Sequence, residues 1–400
     1  MSSNIGPEAK AAYQKYLDAS SLEEKINRLE EFISLVPKHK ATENVVALNK
    51  SRLAKLKREL DAQKDRKKTT AKLVSPFSIK KEGIQVILIS DYYTPGVGKT
   101  SLLNLLTGAA EEKIGKFTPI PEIGIYEYNK IRFQIVDMPS IMKGASTGMG
   151  NGKEILSQLR SCDLICFCID LSRNYENQMD ILLNELDYAN IRINFSPPPI
   201  SIEKTGSNKV QVYYLTSEAK DTEKFEELTE RIKELVNASG LRNAVVKIYG
   251  EITLTEIVDA LNPSVVYKKA IIIGTKGDLP QTEKNFEKLK KFYSNMFPII
   301  IGTSVKKAEM PENFGEIILK FLGKIKIYTM HKGVIAQKPL VIDSESNVPL
   351  IKDVALKIHK SFYDQFDHAV VIRASDRQKR KKVGLDYEVK DNDIIELFTK

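Results

Sequence analysis

The chain of 400 residues has only three cysteines and no run of about 18 apolar residues that could cross a bilayer. Its first residues, MSSNIGPEAK, lack the charged start and apolar core of a signal peptide. We therefore expect a soluble, cytoplasmic protein with no membrane contact. The chain also lacks repeats of fixed period and long low-complexity tracts, so nothing in it indicates a repeat architecture.

The three cysteines, Cys162, Cys166 and Cys168, lie together in the apolar run CDLICFC. Such a run is typical of a buried strand, and no cysteine or histidine elsewhere has zinc-like spacing to it. We expect buried free thiols at these positions and no metal centre.

Composition and length place the chain among globular proteins of two to four domains. Hydrophobic residues make up 42% and charged residues 28%, which excludes a mainly disordered or collagen-like chain. Basic residues number 61 and acidic ones 52. Residues 1–72 hold 16 basic and 10 acidic residues, so much of the net charge of +9 lies there. That excess suggests a polyanionic partner.

The spacing of apolar residues predicts helices at the start of the chain and an α/β sheet after it. Leu22, Ile26, Leu29 and Ile33 recur at helical spacing, a second helix follows from about Thr42, and the two predict a helical hairpin. A basic stretch at 64–72 indicates a linker. Later, the runs IQVILIS, IRFQIVDM, DLICFCID and KKAIIIGTK are typical of parallel strands buried on both faces.

Two further segments differ in character from that sheet. After three prolines, residues 200–215 (ISIEKTGSNKVQVYYL) predict a hairpin with its turn near Gly206, followed by a helix, and we interpret this stretch as an insertion. The last seventy residues predict a small α+β module of short strands around one helix. Within it, Arg377, Lys379, Arg380, Lys381 and Lys382 form a basic cluster that we expect in a loop between strands.

The segment ILISDYYTPGVGKTSLLNLLTG predicts a phosphate-binding loop, because a strand leads into a glycine-bearing turn and then a helix. Lys99 would neutralise the β and γ phosphates, and the Thr100 hydroxyl would bind Mg²⁺. The pattern is imperfect, since Tyr93 stands where a Walker glycine is required. If the loop instead leaves the strand at Ser90, it is about three residues longer than usual. A chance glycine turn before a helix is the alternative.

Three more polar motifs follow predicted strands in the order expected of a guanine-nucleotide site. Asp137 in VDMPS can reach Mg²⁺ through water, and a glycine-studded loop, KGASTGMGNGK, comes after it. In IIIGTKGD, the carboxylate of Asp278 can accept two hydrogen bonds from guanine N1 and N2, which adenine cannot donate. The motif IIIGTSVKK would cap the base edge. Open α/β sheets bind ligands at the carboxyl ends of their strands.

At these motifs the sequence resembles the developmentally regulated GTP-binding protein family of the Obg-like translation-factor GTPases, most like an archaeal member. DMPSIMKGASTGMGNGKEI is similar to the family's DLPGIIEGAAQGKGRG-type switch region, and ATENVVALNKSRLAKLKREL resembles its N-terminal helical segment. NELDYANIRINFSPPP resembles the passage that enters its inserted domain. The tail looks like a TGS domain, a β-grasp module associated with RNA and regulatory contacts.

The resemblance implies an α/β fold with a P-loop GTPase domain and three appended modules. The GTPase domain would span 80–190 and 264–328, after an N-terminal helical hairpin of helix-turn-helix type at 1–75. An α+β domain similar to the second domain of ribosomal protein S5 would occupy 191–263, and the TGS domain 330–400.

The resemblance also assigns site residues, and GTP or GDP with Mg²⁺ as the bound groups. Lys99, Asp137 and Thr118 would be catalytic, and Thr100, Thr118 and Asp137 would bind the metal. Thr118 is the switch I threonine in KFTPIPEIG, and a strand-entry threonine is the other interpretation. The nucleotide would contact Gly96, Val97, Gly98, Lys99, Thr100, Ser101, Thr275, Lys276, Asp278, Ser304, Val305 and Lys306.

Several departures from the family pattern bear on activity. Besides the missing Walker glycine, Ser140 replaces the glycine of DxxG, and Ile141 stands where Ras-like enzymes place a water-orienting glutamine. Some relatives use K⁺, but Gly96 stands where they often provide a side-chain ligand. Two hypotheses follow: a slow Mg²⁺-dependent GTPase acting as a ribosome- or RNA-associated switch in translation, and a nucleotide-binding scaffold or assembly factor without hydrolysis.

The partners expected on this basis are the ribosome or ribosomal RNA and a regulatory protein. The basic N-terminal helices and the segment Arg377 to Lys382 would contact the RNA, since phosphate neutralisation supplies much of such affinity.

Overall fold

The computed structural model describes residues 6–19, 22–37, 42, 45–57, 60, 75–109, 119–206, 209–215, 222–345 and 348–400. The chain divides into two compact units, Met1–Ser78 and Ile79–Lys400. The predicted linker at 64–72 and the switch threonine Thr118 lie outside the described residues. Across the described ranges, no helix is both long enough and apolar enough to cross a membrane.

The described residues of the first unit are mainly helical, and they form one helix more than the predicted hairpin. Its helices are α1 (Pro7–Asp18), α2 (Leu22–Leu35) and α3 (residues 45–57). Ala9 and Ala12 of α1 are buried against Leu29 and Phe32 of α2. Small alanines let the two helices approach closely, and the low hydrophobicity of α1 is why apolar spacing alone missed it.

The second unit is built on a seven-stranded, mainly parallel sheet. Its strands are β1 (Ile84–Ile89), β2 (Glu122–Tyr128), β3 (Ile131–Asp137), β4 (Leu164–Asp170), β5 (Ile191–Ile193), β9 (Val266–Thr275) and β10 (Ile300–Gly302). The order is β10-β9-β4-β1-β3-β2, with β5 paired to β9. Every residue of β1 and β4 is buried, because helices cover both faces.

In the described ranges, four helices connect these strands and a fifth follows β10. The connecting helices are α4 (Lys99–Thr107), α5 (Gly152–Ser161), α6 (Tyr175–Tyr188) and α9 (Thr282–Tyr293), and the fifth is α10 (Phe314–Phe321). On one face, Val86 and Leu88 of β1 pack with Leu102 and Leu103 of α4, and Phe314 of α10 joins the same cluster. This packing fixes α4 directly behind the end of β1, which is where the phosphate loop is predicted.

A separate three-stranded sheet follows β5, and it corrects the predicted hairpin. Its strands are β6 (Ile200–Lys204), β7 (Val210–Tyr214) and β8 (Ala244–Ile248), accompanied by α7 (Thr222–Ala238) and α8 (Leu254–Leu261). β8 lies between the other two, antiparallel to β6 and parallel to β7. The apolar alternation therefore predicted β6 and β7. These strands do not pair with each other, because the chain continues through α7 into β8, which lies between them.

The tail forms a six-stranded sheet with two helices. The strands are β11 (Lys324–His331), β12 (Val334–Ile335), β13 (Leu340–Asp343), β14 (Phe366–Arg373), β15 (Asp376–Val383) and β16 (Asp393–Thr399), and the helices are α11 (Ile351–Ile358) and α12 (Lys360–Asp364). The order is β12-β11-β16-β14-β15, with β13 beside β11.

The expectation that the basic cluster lies in a loop is wrong. Residues 376–383 form β15, an edge strand paired antiparallel with β14, with Val371 opposite Lys381 and Ile372 opposite Arg380. A run of charged residues lacks the apolar alternation of a half-buried strand. At a sheet edge, where β15 is exposed up to Val383, charge is tolerated and blocks pairing with other chains.

The three thiols are buried and free, as expected for an apolar strand. Burial raises the pKa of Cys162 and of Cys168 to about 12. Since the thiolate is the reactive form, these cysteines are protonated and inert in the folded protein.

We predict that a thiol reagent such as dithiobis-nitrobenzoate leaves the native protein unlabelled at pH 8 and titrates three thiols in denaturant. Ser161→Cys, which introduces a thiol at an exposed position beside Cys162, should add one native thiol that reacts rapidly. Rapid native labelling of the unsubstituted protein would contradict the buried assignment.

Candidate nucleotide site

The predicted phosphate loop connects the end of β1 to the first residue of α4. β1 ends at Ile89 and α4 begins at Lys99, so the loop leaves the strand at Ser90 and is longer than the usual Walker loop. Gly96 and Gly98 have left-handed backbone, at φ 70° and 103°, which glycine adopts without strain. The free N–H groups at the start of α4 therefore face the loop, as an anion site requires.

Lys99 lies between two serine hydroxyls. Its Nζ is 2.6 Å from the Oγ of Ser90 and 3.1 Å from the Oγ of Ser140, and the two hydroxyl oxygens are 3.1 Å apart. Ser90 is the first loop residue, and Ser140 is the residue in the DxxG glycine position. The lysine predicted to bind phosphate is therefore held at the meeting point of the loop and the DxxS segment.

Thr100 and Asp137 form the second polar contact of the phosphate end. The Thr100 hydroxyl donates to Oδ2 of Asp137 over 2.6 Å, while Oδ1 of this fully buried carboxyl has no hydrogen-bond partner among the residues that the structure describes. Burial raises the pKa of Asp137, and the nearby Lys99 charge and the Thr100 hydroxyl oppose that rise. A buried carboxylate oxygen without a partner, beside a hydroxyl, has the hard-oxygen chemistry that Mg²⁺ prefers.

The base motif contacts the phosphate loop directly. The hydroxyl of Thr275, the last residue of β9, lies 2.7 Å from the carbonyl oxygen of Val97 and 3.1 Å from that of Ile169. Val97 packs its own side chain into the core, so only its backbone faces the site. Thr275 thus connects β9 to the loop and fixes the distance between the phosphate and base ends.

At the base end, Asp278 and Ser304 are adjacent. The Ser304 hydroxyl donates to Oδ1 of Asp278 over 2.9 Å, and that bond lowers the pKa of the carboxyl. Lys306 is exposed, with Nζ 4.0 Å from the other carboxylate oxygen, and Val305 is half-buried between them. Asp278 is consequently ionised and oriented before any base arrives.

Lys276 makes an ion pair that the sequence did not indicate. Its Nζ donates to Oδ2 of Asp170 over 2.6 Å, and Asp170, at the end of β4, is fully buried. Ser172 satisfies the other carboxylate oxygen through its N–H and hydroxyl. The pair holds the lysine beside β4, where its stem can line a base.

The structure thus gathers all but one of the predicted side chains at the carboxyl edge of the sheet. The phosphate group, Lys99, Thr100 and Asp137, lies at the ends of β1 and β3, and the base group follows β9 and β10. Ser101 lies in the first turn of α4, next to Thr100. Thr118 is the one predicted residue outside the described part of the chain.

A buried acid beside the glycine-studded loop was also not predicted from the sequence. Glu185 of α6 accepts the N–H of Gly144 over 2.7 Å and that of Ser146 over 2.9 Å, both in the glycine-studded loop. Burial would raise its pKa, but the two N–H groups outweigh that cost, and the pKa lies below its ordinary value. The available signal was a charged residue on the apolar face of α6, in register with Leu182 and Leu186.

Comparisons with known proteins identify two parts of the chain. Residues 94–196 match the family model described as 50S ribosome-binding GTPase, and residues 325–399 match the TGS domain model. The protein is therefore a P-loop GTPase with a C-terminal TGS domain. Three features define this class: the parallel sheet, the loop between β1 and α4, and the two matched family models. The expected fold class is confirmed at that level.

Relatives along nearly the whole chain identify the family. The chain is 31% identical over 393 residues to an uncharacterized GTP-binding protein of Methanocaldococcus jannaschii, covering 96% of this chain and 94% of the relative. It is 28% identical to the Developmentally-regulated GTP-binding protein 1 homolog of Dictyostelium discoideum, and 28% to Ribosome-interacting GTPase 1 of Saccharomyces cerevisiae. Both matches cover 95% of this chain and 100% of the relative. The protein belongs to the developmentally regulated GTP-binding protein family.

We predict that Glu185→Gln loosens the glycine-studded loop, because an amide can accept only one of the two N–H bonds. Amide hydrogen exchange at Gly144 and Ser146 should accelerate by about tenfold or more, the equivalent of one lost charged hydrogen bond. Asp180→Asn, an exposed change on the same helix, is the matched control and should leave exchange unchanged.

Lowering the pH should accelerate amide exchange at Gly144 and Ser146 in the same way as the Glu185→Gln substitution. A carboxyl with a lowered pKa stabilises the fold at neutral pH and loses that contribution as pH falls through its folded pKa. Equal exchange in Glu185→Gln and the unsubstituted protein would show that the carboxylate does not hold the loop.

Proposed function

We propose that this protein is a slow Mg²⁺-dependent GTPase that binds ribosomes or their RNA and switches between GTP and GDP states. The observation that carries the proposal is the meeting of Lys99, Asp137, Thr275 and Asp278 along one edge of the sheet. These side chains lie at or after the carboxyl ends of three different strands, which is where open α/β sheets bind ligands.

At the phosphate end, the backbone donors of the loop and of α4 would bind the phosphate oxygens, and the Lys99 ammonium would neutralise their charge. Thr100 and Asp137 would hold Mg²⁺, which, when bound, neutralises charge that develops on the phosphates. The Thr100 hydroxyl lies 2.6 Å from Oδ2 of Asp137, so the two oxygens are close enough to bind one ion, which supports this assignment. Phosphoryl transfer depends mainly on such positioning and charge stabilisation.

Hydrolysis is expected to be slow without an outside group. Ile141, which stands where a water-orienting glutamine occurs in Ras-like enzymes, is fully buried, and its backbone is bonded to Ser90 and Tyr92. It therefore has no side-chain atom to orient water. We infer that a regulatory protein or the ribosome supplies the missing group. Gly96 offers no side chain to K⁺, so any potassium effect would depend on backbone oxygens.

The basic edge strand β15 is the surface that best fits RNA. Arg377, Lys379 and Arg380 are exposed and make no salt bridge within the part of the chain that the structure describes. Lys381 lies over the Tyr387 ring at 4.7 Å. Three unpaired cations on one exposed strand suit phosphate contact, while the Tyr387 ring is already covered by Lys381 and Arg373. A relative named Ribosome-interacting GTPase 1 supports the ribosome as the source of that RNA.

The nucleotide specificity can be tested by Asp278→Asn. We expect the unsubstituted protein to bind GDP more tightly than ADP, and the variant to lose about 10- to 100-fold in GDP affinity, since charged hydrogen bonds to the base are removed. Xanthine has a carbonyl where guanine has the 2-amino group, so the variant should gain affinity for xanthosine diphosphate. Titration calorimetry measures all three, with the exposed Asp364→Asn as control. Equal binding of GDP and ADP would overturn the proposal.

The RNA surface can be tested by neutralising β15. The triple variant Arg377→Gln, Lys379→Gln, Arg380→Gln should bind ribosomes more weakly. The slope of log affinity against log salt should fall in magnitude by about 2, because each phosphate contact contributes a little under one. Lys284→Gln, Lys288→Gln, Lys291→Gln removes the same charge from exposed α9 and is the control. Equal loss in both variants would mean that net charge, not β15, is responsible.

A further inference from the structure

We propose that Ser140 binds the terminal phosphate of a nucleoside triphosphate through its side-chain hydroxyl, and that Ser90 is the residue that positions it. The proposal deepens the proposed function and depends on it. It gives a role to the serine in the DxxG position and to Ser90, the first residue of the longer loop.

The hydroxyls of Ser90 and Ser140 meet beside Lys99. Ser90 and Ser140 are 50 residues apart in sequence, yet their hydroxyl oxygens are 3.1 Å apart and both contact the ammonium of Lys99. Lys99 has the charge that a terminal phosphate requires. A hydroxyl in contact with that ammonium is therefore beside the position of the phosphate.

The hydrogen-bond donors of Lys99 and the two serine hydroxyls are not all used within the cluster. The ammonium has three hydrogens and donates to the two hydroxyls, which leaves one hydrogen for another acceptor. Between the hydroxyls, one donates to the other, so one hydroxyl hydrogen also remains. Ser90 is fully buried and Ser140 is half-buried, so the hydroxyl of Ser140 is the accessible one. The cluster thus presents one N–H and one O–H donor to the site, and both suit a phosphate oxygen.

The segment that carries Ser140 is fixed. Ile141 donates its N–H to the carbonyl of Ser90 over 2.8 Å and accepts the N–H of Tyr92 over 2.8 Å. Asp91 and Ile141 form a parallel bridge, which continues the pairing of β1 with β3 beyond the strand ends. The extra residues of the loop supply this bridge, and the buried Ile141 side chain anchors it.

A fixed segment changes how the terminal phosphate is recognised. A glycine backbone can move its N–H toward the phosphate. The backbone of Ser140 has little freedom to do so, because its neighbour Ile141 is hydrogen-bonded to Ser90 and Tyr92. A side-chain hydroxyl extends the reach by about one bond length without backbone movement. Ser90 holds that hydroxyl in one rotamer, and the same contact explains why a serine follows β1 in place of glycine.

The test compares affinity for GDP with affinity for a non-hydrolysable GTP analogue, in the unsubstituted protein and in Ser140→Ala. We expect the variant to lose about tenfold in affinity for the analogue, the value of one hydrogen bond to a charged group. Its affinity for GDP should stay within about twofold, which also shows that the variant is folded. Ser140→Gly should behave like Ser140→Ala, because the fixed backbone cannot replace the hydroxyl.

Ser90 is tested as a positioning residue by a double-mutant cycle. Ser90→Ala alone should lower analogue affinity less than Ser140→Ala, and the double variant should be no weaker than Ser140→Ala, since Ser90 acts through Ser140. Ser140→Thr keeps the hydroxyl and should retain most of the preference for the analogue. Ser161→Ala, at the exposed end of α5, is the control for loss of a serine.

The outcomes separate this proposal from the function on which it depends. If the unsubstituted protein binds neither nucleotide, the proposed function itself fails. If it binds both, and Ser140→Ala changes neither affinity or lowers both equally, the function stands and the role of Ser140 is overturned. Full analogue affinity in Ser140→Gly, with a loss in Ser140→Ala, would assign the contact to the backbone and also overturn it.

Discussion

The pairing of β1 with β3 on one side and β4 on the other is the constraint on which the site depends. Parallel register places Leu88 opposite both Asp137 and Cys166, so the carboxyl ends of β1 and β3 lie level with each other while β4 extends beyond them. β4 then pairs with β9 up to Thr275. Because β1 and β4 are buried on both faces, a slip in register would mispack the apolar side chains on both sides of the sheet, so the whole core stabilises the alignment of the site.

Polar contacts across the strand ends make these separate motifs into one unit. The Thr275 hydroxyl contacts the loop carbonyl of Val97, and Lys276 pairs with Asp170 at the end of β4. On the phosphate side, Lys99 contacts the DxxS segment, and Glu185 holds the loop that follows it. A change at the phosphates can therefore reach α6, whose C-terminal end leads through β5 into the three-stranded sheet.

The parts predicted from sequence are those encoded locally. Continuous apolar runs gave the four central strands, and a polar motif directly after a strand necessarily lies at its carboxyl end, so Lys99, Asp137 and Asp278 could be placed without a structure. Partners distant in sequence could not be placed. Tertiary packing decides three such features: the contact of Ser90 with Ser140, the two N–H bonds to Glu185, and the position of β8 between β6 and β7. β15 was missed because strand periodicity disappears where both faces are exposed.

We expect the nucleotide site to hydrolyse GTP slowly, and an outside group to accelerate that hydrolysis. Single-turnover hydrolysis of GTP with Mg²⁺, followed by phosphate release with and without ribosomes and with Na⁺ or K⁺, tests this most directly. We expect slow release of phosphate from the isolated protein and faster release when ribosomes are present. Tight GTP binding with no phosphate release under any of these conditions would contradict this expectation and would leave a nucleotide-dependent scaffold.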